Sequence, residues 1–182
     1  MGDTYVFENP DKVTFGTIGR PARRVFLMQV KEDDQMLTVK LEKMQVAALS
    51  SFLGGIIAQA PRPAHLPDDL ELEEPMIALF TVGALGAAYD EELDRVILVA
   101  EESEDYESFQ MTLFDPTELR IADDNIGSTL RVMATREQAS ALAIRGRALV
   151  EAGRPPCPLC GYPINPDGHD CPRTNGHRPP AI

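Results

Sequence analysis

Hydrophobic and polar residues alternate along much of the chain, and the period of that alternation changes twice. In "MLTVKLE" (36–42) Leu37, Val39 and Leu41 fall on one side and Thr38 and Lys40 on the other, which predicts a half-buried strand. "VFLMQV" (25–30) reads as its neighbour across the polar turn "KEDDQ". "KVTFGTIG" (12–19) alternates in the same way, and "TYVFE" (4–8) is short enough for one more strand. Together they predict an antiparallel meander.

In residues 43–59 the spacing becomes helical. Leu49, Phe52, Leu53, Ile56 and Ile57 recur at three- and four-residue intervals. Gly54 and Gly55 each weaken that helix by about 1 kcal/mol against alanine and suggest a tight packing surface. Residues 60–75, "APRPAHLPDDLELEEP", hold four prolines and five acids and predict a solvated linker with an idle His65. Strand patterns then resume. "MIALFTVG" (76–83) is nearly all apolar and suggests a central strand. "RVILVAE" (95–101), "SFQMTLF" (108–114) and "TLRVMA" (129–134) follow, with "DEELD" (90–94) as a turn and 115–127 as a polar excursion. Thr135 and Gln138 spell a capping box. Ala139, Leu142, Ala143, Gly146, Leu149 and Val150 then form one helical stripe that ends at Gly153 before two prolines.

One segment repeats. "LTVKLEKMQVAAL" (37–49) aligns without gaps on "LRVMATREQASAL" (130–142), with five of thirteen positions identical. Both run from a strand straight into a helix. The predicted class is α+β: antiparallel β meanders with two packing helices over residues 1–153. Two pseudo-symmetric halves, 1–60 and 76–153, are one form this could take. Residues 154–182 make a separate tail.

Composition narrows the function classes. The chain has 182 residues and 43% hydrophobic content, enough for one real core and a small appendage. No run approaches 18 apolar residues, so no membrane span is expected, and "MGDTYVFENP" has no signal-peptide pattern. Of the net charge of −12, residues 1–135 carry −14 (11 Lys/Arg, 25 Asp/Glu) and residues 136–182 carry +2 (6 Arg, 4 acids). The acidic body disfavours nucleic acid.

All three cysteines lie in the tail, "CPLCGYPINPDGHDC". A C-x-x-C turn aims two sulfurs at one point, and the following glycine lets backbone amides face them. Cys157, Cys160 and Cys171 supply three ligands, and either His169 or His177 supplies the fourth. Mixed thiolate–imidazole sites suit Zn²⁺. With four protein ligands the site is structural and resembles a small zinc ribbon. It would fold a segment too short for a core. A redox pair is disfavoured because "RPP" and "GYP" oppose the helix start that such pairs use. Three odd-numbered, clustered cysteines also do not form a secreted disulfide framework, which places the protein in the cytoplasm.

The chain resembles the DUF3090 family of mainly actinobacterial proteins. The resemblance runs through "VTFGTIGRPARRVFLMQ", "VKLEKMQVAAL", "LRVMATREQASALAIRGRALVEAGRPPCPLCG" and "GHDCPRTNG". It implies no activity. Its GHxCPR element favours His169 over His177.

No catalytic constellation emerges. "GTIGR" lacks the Lys-Ser/Thr and following helix of a phosphate loop, and the acidic runs lack the EF-hand pattern. Two readings remain. One is a non-enzymatic adaptor with a protein partner, whose zinc tail presents Arg154, Arg173 and Arg178. The other is an enzyme or small-ligand binder with an anion pocket at Arg20, Arg23 and Arg24 between the halves.

Overall fold

The computed structural model describes residues 2–20, 23–59, 65–102, 110–113, 127–153, 156–162, 164, 168 and 171–173. Strands β2 (Lys12–Ile18), β3 (Val25–Glu32) and β4 (Gln35–Leu41) form the expected antiparallel meander, followed by helix α1 (Lys43–Gln59). The turn between β3 and β4 is made by Asp33 at φ 52° and Asp34, the backbone region that Asp and Asn tolerate best after glycine. A second sheet runs in the order β1-β8-β6-β5-β7. Its members are β1 (Thr4–Phe7), β5 (Val82–Asp90), β6 (Arg95–Glu102), β7 (Gln110–Leu113) and β8 (Thr129–Ala134), and helix α2 (Arg136–Glu151) closes the chain order. The class is α+β: two sheets, one antiparallel and one mixed, with two helices packed on each other.

The short alignment seen in sequence is part of a longer correspondence. β5, β6 and β8 are antiparallel neighbours in the same order as β2, β3 and β4. Met28 lies opposite Val39, and Leu98 lies opposite Val132, the residue that aligns with Val39. β3 and β6 have the same length and the same sequence of buried and half-buried positions. Their core-facing residues are Phe26, Met28 and Val30 in one, and Val96, Leu98 and Ala100 in the other.

The halves exchange parts. β1, at the start of the first half, pairs in parallel with β8 of the second, placing buried Phe7 beside Val132. At the start of the second half, Lys40 of β4 bridges Thr81 in parallel and its N–H donates to Phe80 O at 3.0 Å. Phe80 is buried like Phe7. The helices cross over too, α2 lying on β2 and α1 on β5. One continuous core therefore draws on Phe15, Val39 and Leu49 of the first half and on Leu85, Leu130 and Leu142 of the second. Each helix is not the lid of its own meander; it is a lid for the other.

The identical glutamines of the repeat fasten this exchange. Gln138 Oε1 accepts from Thr135 N, and Thr135 Oγ1 accepts from Gln138 N, the capping box read from sequence. Gln138 Nε2 then donates to Pro10 O at the entry to β2. Gln45 repeats the device. Its Oε1 accepts from Glu42 N at 2.7 Å and its Nε2 donates to Val82 O at 2.8 Å, at the start of β5. Both side chains are buried, so every polar atom they use must be matched.

Three expectations change. TYVFE does not join the first meander. The Asp3 carbonyl just before it accepts from Thr129 N at 2.8 Å, and its strand lies at the edge of the other sheet. The apolar run 76–83 is mostly not a strand: β5 starts at Val82, and Ile77 and Leu79 are 77% and 53% exposed. Apolar content without a period of two could not place the strand start. The "solvated linker" is the third. His65 is exposed as expected, but residues 69–73 lie across the outer face of β2 and β3, bound by ion pairs and buried side chains. Residues 114–126, which cover most of the expected polar excursion, lie outside the described residues.

Candidate metal centre

The chain beyond α2 has little apolar material. Its described core is Cys157, Ile164 and Cys171, with Cys160 against it. The CPLCG turn is shaped by its backbone. Gly161 N donates to Cys157 O at 2.8 Å, Cys157 N donates to Tyr162 O at 2.7 Å, and Gly161 sits at φ 76°. Glycine takes that left-handed backbone conformation most readily. Pro158 and Leu159 fill the turn between the two cysteines.

This fold brings the three sulfurs of Cys157, Cys160 and Cys171 within 4.8 Å of one another. Cys157 and Cys171 Sγ are 3.9 Å apart, and none of the three is in a disulfide. Burial works to raise the Cys157 thiol, but the N–H groups of Cys160 and Leu159 and the two neighbouring thiols outweigh it, so Cys157 is held below its ordinary value. Cys160 moves up. Burial drives it, the Tyr162 N–H opposes it, and the Cys157 and Cys171 sulfurs add to it. Cys157 is thus set up to ionise first, and Cys160 follows only against its charge. A cation removes that conflict by accepting all three thiolates.

The donor set fits a tetrahedral thiolate metal such as Zn²⁺. Backbone N–H groups aimed at the sulfurs are the outer contacts such sites use to spread thiolate charge. His169 and His177, the candidates for the fourth position, lie outside the described residues, as do Arg154 and Arg178. Arg173 is described and exposed.

The three arginines of the expected anion pocket lie at the β2–β3 turn and beside the end of α2. Arg20 and Arg23 are exposed in the β2–β3 turn, where Arg23 N donates to Arg20 O at 2.9 Å. Arg24 donates from Nη1 to Ala152 O at 3.0 Å, serving a free carbonyl at the C-terminal end of α2. A groove of about 550 Å³ lies elsewhere, lined by Ser51, Phe52, Ile56 and Tyr89 among others. Sequence reasoning missed Gln45 and Gln29. Identity with Gln138 in the repeat was a signal for the first; Gln29, inside an apolar strand run, gave none.

A family model described as "Protein of unknown function (DUF3090)" matches residues 5–171. The chain belongs to that family, and the match spans both halves of the body and all three cysteines. No curated protein and no solved structure matches it. Among the described residues, no helix is long and apolar enough to cross a membrane.

Proposed function

We propose that Cys157, Cys160, Cys171 and His169 hold one structural zinc ion, and that the protein is a non-enzymatic adaptor. In this reading residues 154–182 are a zinc-folded knuckle, and residues 1–153 are a body that docks a protein partner in the cytoplasm. The observation that carries the proposal is the convergence of three reduced sulfurs within 4.8 Å. Four protein ligands leave no open position for a substrate, so the ion would order the tail and not perform hydrolysis. Its contribution would be the folding energy that a segment too short for a core of its own cannot supply.

The test is elemental analysis of protein purified without added metal. About one zinc per chain is expected from a closed four-ligand site, and a content well under that sinks the proposal. His169→Ala should lower the zinc content, while His177→Ala should not. The reverse result moves the fourth ligand to His177. For the adaptor role, a chain truncated after Gly153 should still capture the partner that the intact chain captures, and a partner lost on truncation assigns that contact to the tail.

A further inference from the structure

The outer face of the first sheet is a heavily built polar surface. β-strand alternation sends Lys12, Thr14 and Gly16 of β2 to this face, with Lys31, Gln29 and Leu27 of β3 directly opposite them. The face is therefore graded in rows. One row is cationic, the next is a hydroxyl–amide row that Thr38 extends onto β4, and the third is an apolar notch where Gly16 has no side chain. A sheet face open to water would not need to order and bury an amide in its centre. Gln29 is 1% exposed.

Every row is occupied by residues 69–73. Gln29 Nε2 donates to Glu73 O at 2.9 Å and Gln29 Oε1 accepts from Glu73 N at 2.8 Å. One side-chain amide thus reads both backbone groups of a single residue, which requires that residue to present them on the same side. Thr14 Oγ1 donates to Leu70 O at 2.6 Å. Leu72 fills the notch, where a Cβ on Gly16 would lie 2.3 Å from its Cγ. Lys12 pairs with Asp69 at 2.8 Å and Glu73 at 3.3 Å, and Lys31 pairs with Glu73 at 2.7 Å. Arg145 of α2 reaches over the β2 edge, with Nε on Phe15 O and Nη2 on Glu71 at 3.2 Å. Backbone, leucine and three alternate acids are thus all engaged, the acids by Lys12, Lys31 and Arg145.

We propose that this face is a recognition groove for an extended acidic peptide, and that residues 69–73 occupy it as a ligand in cis. The partner is a protein carrying an extended segment of the same design: acids on alternate positions with a leucine between the last two. The groove supplies backbone reading through Gln29 and Thr14 and charge reading through Lys12, Lys31 and Arg145. The cis segment is tethered at both ends, which gives it an effective concentration in the millimolar range, so a free peptide competes poorly until the tethered one is weakened. Its grip depends on carboxylates that are largely solvent-facing, Asp69 at 70% and Glu71 at 82%, and such pairs are screened by salt and contribute little individually. The groove would serve the body of the adaptor, but it rests on the sheet alone and stands or falls independently of the tail's metal.

The deciding experiment uses the full chain and a fluorescent peptide of residues 67–75, PDDLELEEP, read by anisotropy. The intact protein should bind it weakly. D69N/E71Q/E73Q should bind it at least tenfold more tightly, with affinity falling as salt rises, and adding Gln29→Met to that variant should abolish the gain. A folded triple variant that binds no better than the intact protein overturns the proposal. So does displacement of the peptide by polyuridylate as readily as by unlabelled peptide, because charge alone would then account for binding. If the triple variant does not fold, hydrogen exchange of the intact protein decides. Glu73 N–H should exchange well before the β3 amides and faster as salt rises; exchange in step with β3 and insensitive to salt overturns the proposal.

Discussion

The body and the tail solve the same problem, holding a chain in one conformation, with opposite materials. The body buries a continuous cluster that runs from Phe7 to Ala143 and includes residues of both sheets and both helices. Each fully buried leucine or phenylalanine in it contributes about 1.5–3 kcal/mol. Among the described residues, the tail buries Cys157, Ile164 and Cys171 as its only apolar cluster. Its order rests on a glycine turn and on three thiols that gain a common partner only if a cation joins them. Apolar burial is diffuse and survives the loss of one contact. Coordination is concentrated, and the loss of one ligand removes most of it.

Metal removal should separate the two regions most sharply. Structural zinc contributes on the order of 10 kcal/mol in small zinc domains. Chelation should therefore abolish hydrogen-exchange protection at Gly161 N–H while moving the melting temperature of the body by less than about 2 °C. A joint collapse would show that the tail is part of the body's core.

Within the body, the exchange between halves predicts a matched pair of effects. Gln45→Leu and Gln138→Leu each strand one helix-start N–H and one carbonyl of the other half, at Val82 in β5 and at Pro10 just before β2 respectively. Each should cost about 2–3 kcal/mol in urea unfolding. The two costs should agree within about 1 kcal/mol, the scatter expected of equivalent sites. A large inequality would break the equivalence of the halves.

The smallest effect concerns the strap of residues 69–73. Hydrogen bonds from Lys31 hold Glu73 below its ordinary value, and those from Lys12 hold Asp69 below its own. A depressed carboxylate adds stability above its unfolded value and loses it as pH falls through the folded one. Lys31 is raised, chiefly by its hydrogen bond to Glu73, so its share is present below its unfolded value and is lost as pH rises through the folded one. The strap should therefore hold across neutral pH and loosen below the ordinary carboxylate range and at strongly alkaline pH. Protease sensitivity within 65–75, followed by mass spectrometry, checks this; cleavage independent of pH would remove the ion pairs from the account.

Local features were legible in the sequence because their causes are local. Alternation marked β2 and β4, apolar strand-like runs marked β3, β6 and β8, and helical spacing marked α1 and α2. Thr135 and Gln138 announced a cap that forms as read. The clustering of all three cysteines announced the convergence of their sulfurs. The placement of β5 was misread because an unbroken apolar run carries no period, and two of its large apolar residues, Ile77 and Leu79, are exposed.

Only the tertiary structure decided which surfaces meet. The sequence determined the elements, the caps and the ligand types, since each depends on neighbours a few residues apart. It could not show that α1 covers β5 and α2 covers β2, that β1 and Phe80 change places between halves, or that an acidic linker is the ligand of a buried glutamine. Those contacts join residues tens of positions apart, and their free energy exists only once both partners are folded and water has left the space between them.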